Sequence, residues 1–124
     1  MEFTIIDTSK IESNIEIINC AKQKDCFLVV ENNNPYTCGM YDTFELAEIA
    51  IQQAMLEFNK NHPIGNSVWV KNGANDRYLR VSSETLKNFP FGRICSDANL
   101  YEVKYQIFSR TTNAFISYKF PIKN

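Results

Sequence analysis

The residues with the most chemical potential in this chain lie between positions 67 and 93. Ser67–Lys71 and Arg77–Val81 read as two strands joined by the turn signal Asn72-Gly73. With Val68, Val70, Leu79 and Val81 turned to a core, the two-residue strand period gathers Trp69, Lys71, Tyr78 and Arg80 on the other surface. Two aromatic rings and two cations on one face can stack on bases and pair with phosphates. The same residue types dominate protein–protein interfaces. Arg93, behind Phe89-Pro90-Phe91-Gly92, can join Arg80 in an anion-binding cluster near a helix that starts at Ser82 or Ser83. The competing arrangement puts Trp69 in the core beneath a helix and leaves the arginines as ordinary surface charges.

Catalytic patterns are thin by comparison. His62 is the one histidine and sits between a helix end and Pro63, with no second imidazole to share a metal or a proton relay. Cys38 lies shortly before the long helix, where the helix dipole can lower a thiol pKa. Its one imidazole partner would be His62, at the far end of a helix roughly 25 Å long, which speaks against a dyad. Gly39, Gly65, Gly73 and Gly92 are isolated and form no phosphate-cradling loop. Cys20, Cys26, Cys38 and Cys95 have no zinc spacing and read as reduced, mostly buried thiols. Glu45 and Glu48 look like a solvated helix face rather than an acid–base pair. The pattern predicts a protein that is not an enzyme and uses neither metal nor cofactor.

Charge is the strongest signal on the scale of the whole chain. Residues 1–62 hold ten acidic and four basic residues, a balance of −6, whereas residues 63–124 hold four and nine, a balance of +5. The net charge of −1 conceals this split. All four arginines belong to the second half. Fixed charge of one sign steers a partner of the other, so Glu45, Glu48 and Glu57 are candidate contacts to a basic partner.

The elements that must position these groups are an antiparallel sheet and two helices. At 124 residues the chain reads as a single α+β domain, 1–124, with about five to seven strands. Strands are expected at 3–7, 26–30, 36–40, 67–71 and 77–81, and a final hairpin at 101–107 and 116–120 around the loop 110–113. Ser9 with Glu12 forms a capping-box pattern, and Ile11, Ile15 and Ile18 follow at helical spacing, which predicts a helix at about 10–23. A second helix is expected at about 43–60, capped by Asp42. Its apolar stripe is Phe44, Ala47, Ile51, Ala54, Met55 and Phe58. Leu46, Ile49 and Leu56 fall off that stripe. They call for a cover, supplied by another element or by a homodimer.

No apolar run has the length of a membrane span and no secretion signal opens the chain, so a cytoplasmic location without membrane contact is the expectation. Abundant Asn (14) and Ile (13) beside scarce Gly (4) and Pro (4) fit an AT-rich gene of the kind common in low-GC bacteria and phages. Together these features predict a small protein that binds and inhibits another protein. An immunity protein neutralising a toxin and a phage-encoded inhibitor of bacterial defence, anti-CRISPR-like, are the leading forms. A nucleotide or nucleic-acid module using the aromatic and arginine face is the alternative. A cysteine-dependent enzyme is the third class.

Overall fold

A computed structural model describes residues 3–15, 25–32, 39–73 and 76–111. Six strands form one antiparallel sheet in the order β1-β4-β5-β6-β2-β3. They are β1 (Phe3–Ile6), β2 (Asp25–Glu31), β3 (Met40–Tyr41), β4 (Ser67–Asn72), β5 (Arg77–Ser82) and β6 (Val103–Thr111). The helices are α1 (Phe44–Asn61), α2 (Ser83–Asn88) and α3 (Phe91–Ser96). This is the α+β architecture with a mostly antiparallel sheet that the strand and helix patterns predict. Among the described residues the one long helix is α1.

Local chemistry explains most boundaries. Thr43, not Asp42, caps α1: its backbone is extended and its Oγ1 accepts the Leu46 amide at 3.1 Å. The helix ends at His62, ahead of Pro63, because the residue before a proline avoids helical geometry. Ser82 caps α2 by accepting the Thr85 amide at 3.0 Å, and α2 stops before Pro90. Pro90 stands at the start of α3, a short helix for which the sequence pattern gave no expectation.

The expected helix at 10–23 does not begin as predicted. Asp7, rather than Ser9, is the cap, and the element it opens is a single 3-10 turn, Thr8–Lys10. The Ser9 hydroxyl and amide both donate to the Asp7 carboxylate, at 2.6 and 3.0 Å, and these bonds hold its pKa below the usual value. Ile11 is extended, and Asn14 sits at φ 62°, a left-handed conformation that ends any helix and that asparagine tolerates. Residues 16–23 of that prediction lie outside the described residues, as do strand 116–120 and most of 36–40. Arg110 and Thr111, expected in the loop 110–113, belong instead to β6, where Arg110 pairs with Cys26.

Each strand of the β4–β5 hairpin is covered on both faces. Trp69, Tyr78, Val103, Tyr105, Ile107 and Val29 point to α1 and pack on Ala47, Ile51 and Met55, the middle of the predicted stripe. The alternating residues Val70, Leu79 and Val81 face the other way, against Phe91, Ile94 and Cys95 of α3. Cys26, Leu28 and Val30 form a third buried cluster with Met40 and Phe108 on that second face. The segment after the 3-10 turn lies along α1. There Gln53 donates from Nε2 to the Glu12 carbonyl (2.7 Å) and accepts the Ile15 amide (3.4 Å).

Candidate functional site

The face that carries Trp69, Lys71, Tyr78 and Arg80 exists, since all four lie on the same side of β4 and β5. It is not a surface. Trp69, Tyr78 and Arg80 are 0, 3 and 1% exposed because α1 covers them, and Lys71 is half-buried at the end of the row. The exposed stacking platform predicted there is therefore corrected to a core. The reason is visible in the strands themselves. Val68-Trp69-Val70 and Tyr78-Leu79 put large apolar groups on both faces, as strands buried on two sides do.

Arg80 is the centre of a polar knot beneath the C-terminal end of α1. Its Nη1 donates to Asn59 Oδ1 (3.0 Å) and to the His62 carbonyl (2.6 Å), and its Nη2 donates to the Pro63 carbonyl (2.7 Å). Its Nε lies 3.3 Å from Glu102 Oε1 as an ion pair without hydrogen-bond alignment. The guanidinium also lies over the Phe58 ring, 5.1 Å from the centroid. Asn59 Oδ1 accepts Trp69 Nε1–H as well (2.9 Å), and Asn59 Nδ2 donates to Thr8 Oγ1 (3.2 Å). A cation at this end of a helix satisfies carbonyls that have no partner within the helix, and it opposes the negative end of the dipole. The donors that would have met a phosphate are thus spent inside the molecule.

Arg93 does not join Arg80. It is exposed on α3, over the Phe89 ring at 5.7 Å, while Arg80 lies on the opposite face of the sheet. His62 is exposed, with its ring stacked on Phe58 at 4.3 Å. Cys26 and Cys95 are buried, and Cys20 and Cys38 lie outside the described residues. Among the described residues no three His, Cys, Asp or Glu side chains converge to hold a metal ion. Two open polar clefts flank Ser82. One, of about 510 Å³, includes Asn66, Ser83 and Lys87; the other, of about 310 Å³, includes Ser67, Tyr101 and Glu102. Their serine hydroxyls bond internally: Ser82 to Thr85, Ser83 to the Asn66 carbonyl and Ser67 to Glu102.

No family model matches the chain, no curated protein matches it significantly, and no solved structure does. Among the described residues, Arg77–Asp76 (3.9 Å) and Arg80–Glu102 (3.3 Å) are ion pairs, and both lie within the basic second half. The acidic residues Glu45, Glu48 and Glu57 belong to α1 on one face of the sheet; Lys87 and Arg93 belong to α2 and α3 on the other. The acidic groups of α1 share their side of the fold with Lys60, and the other side carries both signs, with Glu84 and Asp97 beside Lys87 and Arg93.

Glu45 and Glu48 differ in what they can offer. Glu45 is exposed in the first turn of α1. Glu48 is half-buried and accepts the Tyr78 hydroxyl at 3.0 Å, which corrects its expected place on a freely solvated helix face. Burial first, and the charge of Glu48 second, push the Tyr78 phenol far above its ordinary value. Because the folded pKa is raised, the folded state keeps this proton after the unfolded chain has lost it. The stabilisation is full below the unfolded tyrosine value, about pH 10, and falls as pH rises beyond it. Stability measured by urea unfolding is therefore expected to decline above about pH 10. Tyr78→Phe is expected to flatten that decline while lowering stability at neutral pH by about 1 kcal/mol. An unchanged alkaline slope in Tyr78→Phe would assign the effect elsewhere.

Sequence reasoning missed Asn59 altogether. Its position in the last turn of α1, on the flank of the apolar stripe, marks a side chain that faces β4 and β5 rather than bulk water. Asparagine there, beside Phe58, was the available signal.

Proposed function

We propose that this protein works by binding, and that the side of α1 turned away from the sheet is its contact surface for a basic macromolecule. The single observation behind this reading is the composition of that side. Glu45 and Glu57 are exposed on it with Lys60 between them around the helix, Leu46 is 37% exposed, Ile49 and Leu56 are half-buried, and the Glu12–Ile15 segment is bonded to Gln53 on the same side. An apolar centre flanked by acidic groups suits a partner whose own surface is cationic, since complementary charge speeds encounter and fixes orientation. The helix is held firmly enough to present that side, by the Thr43 cap at one end and Arg80 at the other.

In its specific form the proposal is an inhibitor acting in the cytoplasm: an immunity protein for a nuclease toxin, or a phage protein that blocks a bacterial defence effector. Both targets carry basic grooves for nucleic acid, and an acidic helix is a stand-in for the phosphate backbone they hold. The nucleotide-binding alternative loses its support, because the aromatic and arginine face it needs lies under α1.

The test is titration calorimetry against a panel of purified basic nuclease toxins and defence effectors. One of them is expected to form a complex that weakens as salt rises. The double reversal Glu45→Lys with Glu57→Lys is expected to weaken it by on the order of tenfold or more, with the fold unchanged by circular dichroism. A panel that yields no complex, or a complex indifferent to both salt and the reversal, would overturn the reading.

A further inference from the structure

The turn between β4 and β5 contains the pair Asn72-Gly73, and glycine after asparagine is the arrangement in which an asparagine amide is most open to attack by the following backbone nitrogen. With no Cβ at the next residue, nothing shields that nitrogen and the backbone can swing into the required conformation. The Gly73 nitrogen loses its proton and bonds to Asn72 Cγ, the Cγ–Nδ2 bond breaks, and ammonia leaves with the proton. Water then opens the five-membered imide to aspartate or isoaspartate. The only other reactant is water.

In the folded protein the reacting amide is bonded through both its oxygen and its nitrogen. Asn72 is 8% exposed. Its Oδ1 accepts the amides of Asp76 (3.0 Å) and Arg77 (3.1 Å), and its Nδ2 donates to Asp76 Oδ1 at 2.6 Å. These three bonds close the turn and hold Cγ on the strand side of it. Asn72 is also the last residue of β4, in register with Phe3 of β1. Attack on Cγ requires the side chain to leave all three partners. Conversion is then not a small change, because it replaces the donor facing Asp76 with a second carboxylate at hydrogen-bonding distance, and like charges so placed repel.

From this we infer that Asn72 is a modification site: a deamidation centre latched by Asp76, whose conversion releases the β4–β5 hairpin and does not reverse. The hairpin carries Trp69 and Arg80, so its release reaches the underside of α1. This inference stands independently of what α1 binds.

The experiment incubates the full-length protein in mildly alkaline buffer and follows residue 72 by peptide mass and isoaspartate content. Three samples run in parallel: native protein, protein in concentrated urea, and the native Asp76→Ala variant. The urea sample is expected to convert at least about tenfold faster than the native one, since reaction must wait for local opening in the fold. Asp76→Ala is expected to convert faster than the native protein, and Asp76→Asn, which keeps an acceptor oxygen for Asn72 Nδ2, to convert at close to the native rate. Asn72→Asp is expected to show a lower urea midpoint than the parent. Equal rates in native and urea samples, no conversion even in urea, an Asp76→Ala rate no higher than the native one, an Asp76→Asn rate as high as that of Asp76→Ala, or an unchanged midpoint in Asn72→Asp would each overturn the inference.

Discussion

Replacing Arg80 with alanine is expected to remove about 3–5 kcal/mol of stability, as breaking a buried charged network does. The carbonyls of His62 and Pro63 and the Asn59 oxygen would lose donors at 2.6, 2.7 and 3.0 Å beneath a packed helix. Glu102 adds less to this figure, because its side chain is 38% exposed and water screens its charge. Arg77→Ala is the control. Its side chain is also 38% exposed and its pair with Asp76 is long at 3.9 Å, so its cost is expected to stay within about 0.5 kcal/mol. Urea unfolding of the two variants decides the matter. If Arg80→Ala were no more costly than Arg77→Ala, the knot under α1 would not be what holds that end of the helix.

The second large effect is expected at Trp69. The indole is fully buried, stacks on Tyr105 with ring centres 6.2 Å apart, meets Phe58 edge-on at 6.0 Å and donates to Asn59. Trp69→Ala leaves a large cavity at the centre of the sheet and an asparagine oxygen short of one donor. The expected cost is about 3–5 kcal/mol. Trp69→Phe keeps most of the volume and is expected to cost less than the alanine change. The same residue reports on ligand binding. A buried indole emits at short wavelength, and its fluorescence is expected to ignore nucleotides and oligonucleotides. Quenching by a nucleotide that vanished in Arg80→Ala would restore the nucleic-acid reading.

Much of the fold follows from local patterns in the chain. The α1 stripe of Ala47, Ile51 and Met55 is the stripe that meets the sheet. The β4–β5 hairpin and α2 fall where the turn signal and the Ser82 cap place them. These elements were legible because a repeating apolar period and a cap are short-range properties. The start of a helix at 10–23 failed for the same kind of reason. Ile11, Ile15 and Ile18 offered a helical period, but Asp7 competes for the cap, and Asn14 turns left-handed where a helix would have to continue.

The candidate site was less legible. The two-residue period correctly grouped Trp69, Lys71, Tyr78 and Arg80, and correctly placed them opposite Val70, Leu79 and Val81. It could not say which group faces solvent, and here neither does: α1 covers one side and α3 the other. Likewise Glu48 reads as a surface carboxylate in the helix pattern, and only the packing of α1 on β5 gives it the Tyr78 hydroxyl as a partner.

By itself the sequence determined most of the secondary elements, the α+β class, the grouping of residues on each strand face and the separation of acidic from basic segments. Each depends on neighbours within a few positions, where backbone geometry and side-chain type act directly. The tertiary structure decided what is hidden. It took an arginine and a tryptophan suited to a ligand and used them to anchor the end of α1, because a helix end buried on a sheet leaves carbonyls that need a donor. Glu45 and Glu57 were left facing outward by the same packing that buried their apolar neighbours on the helix.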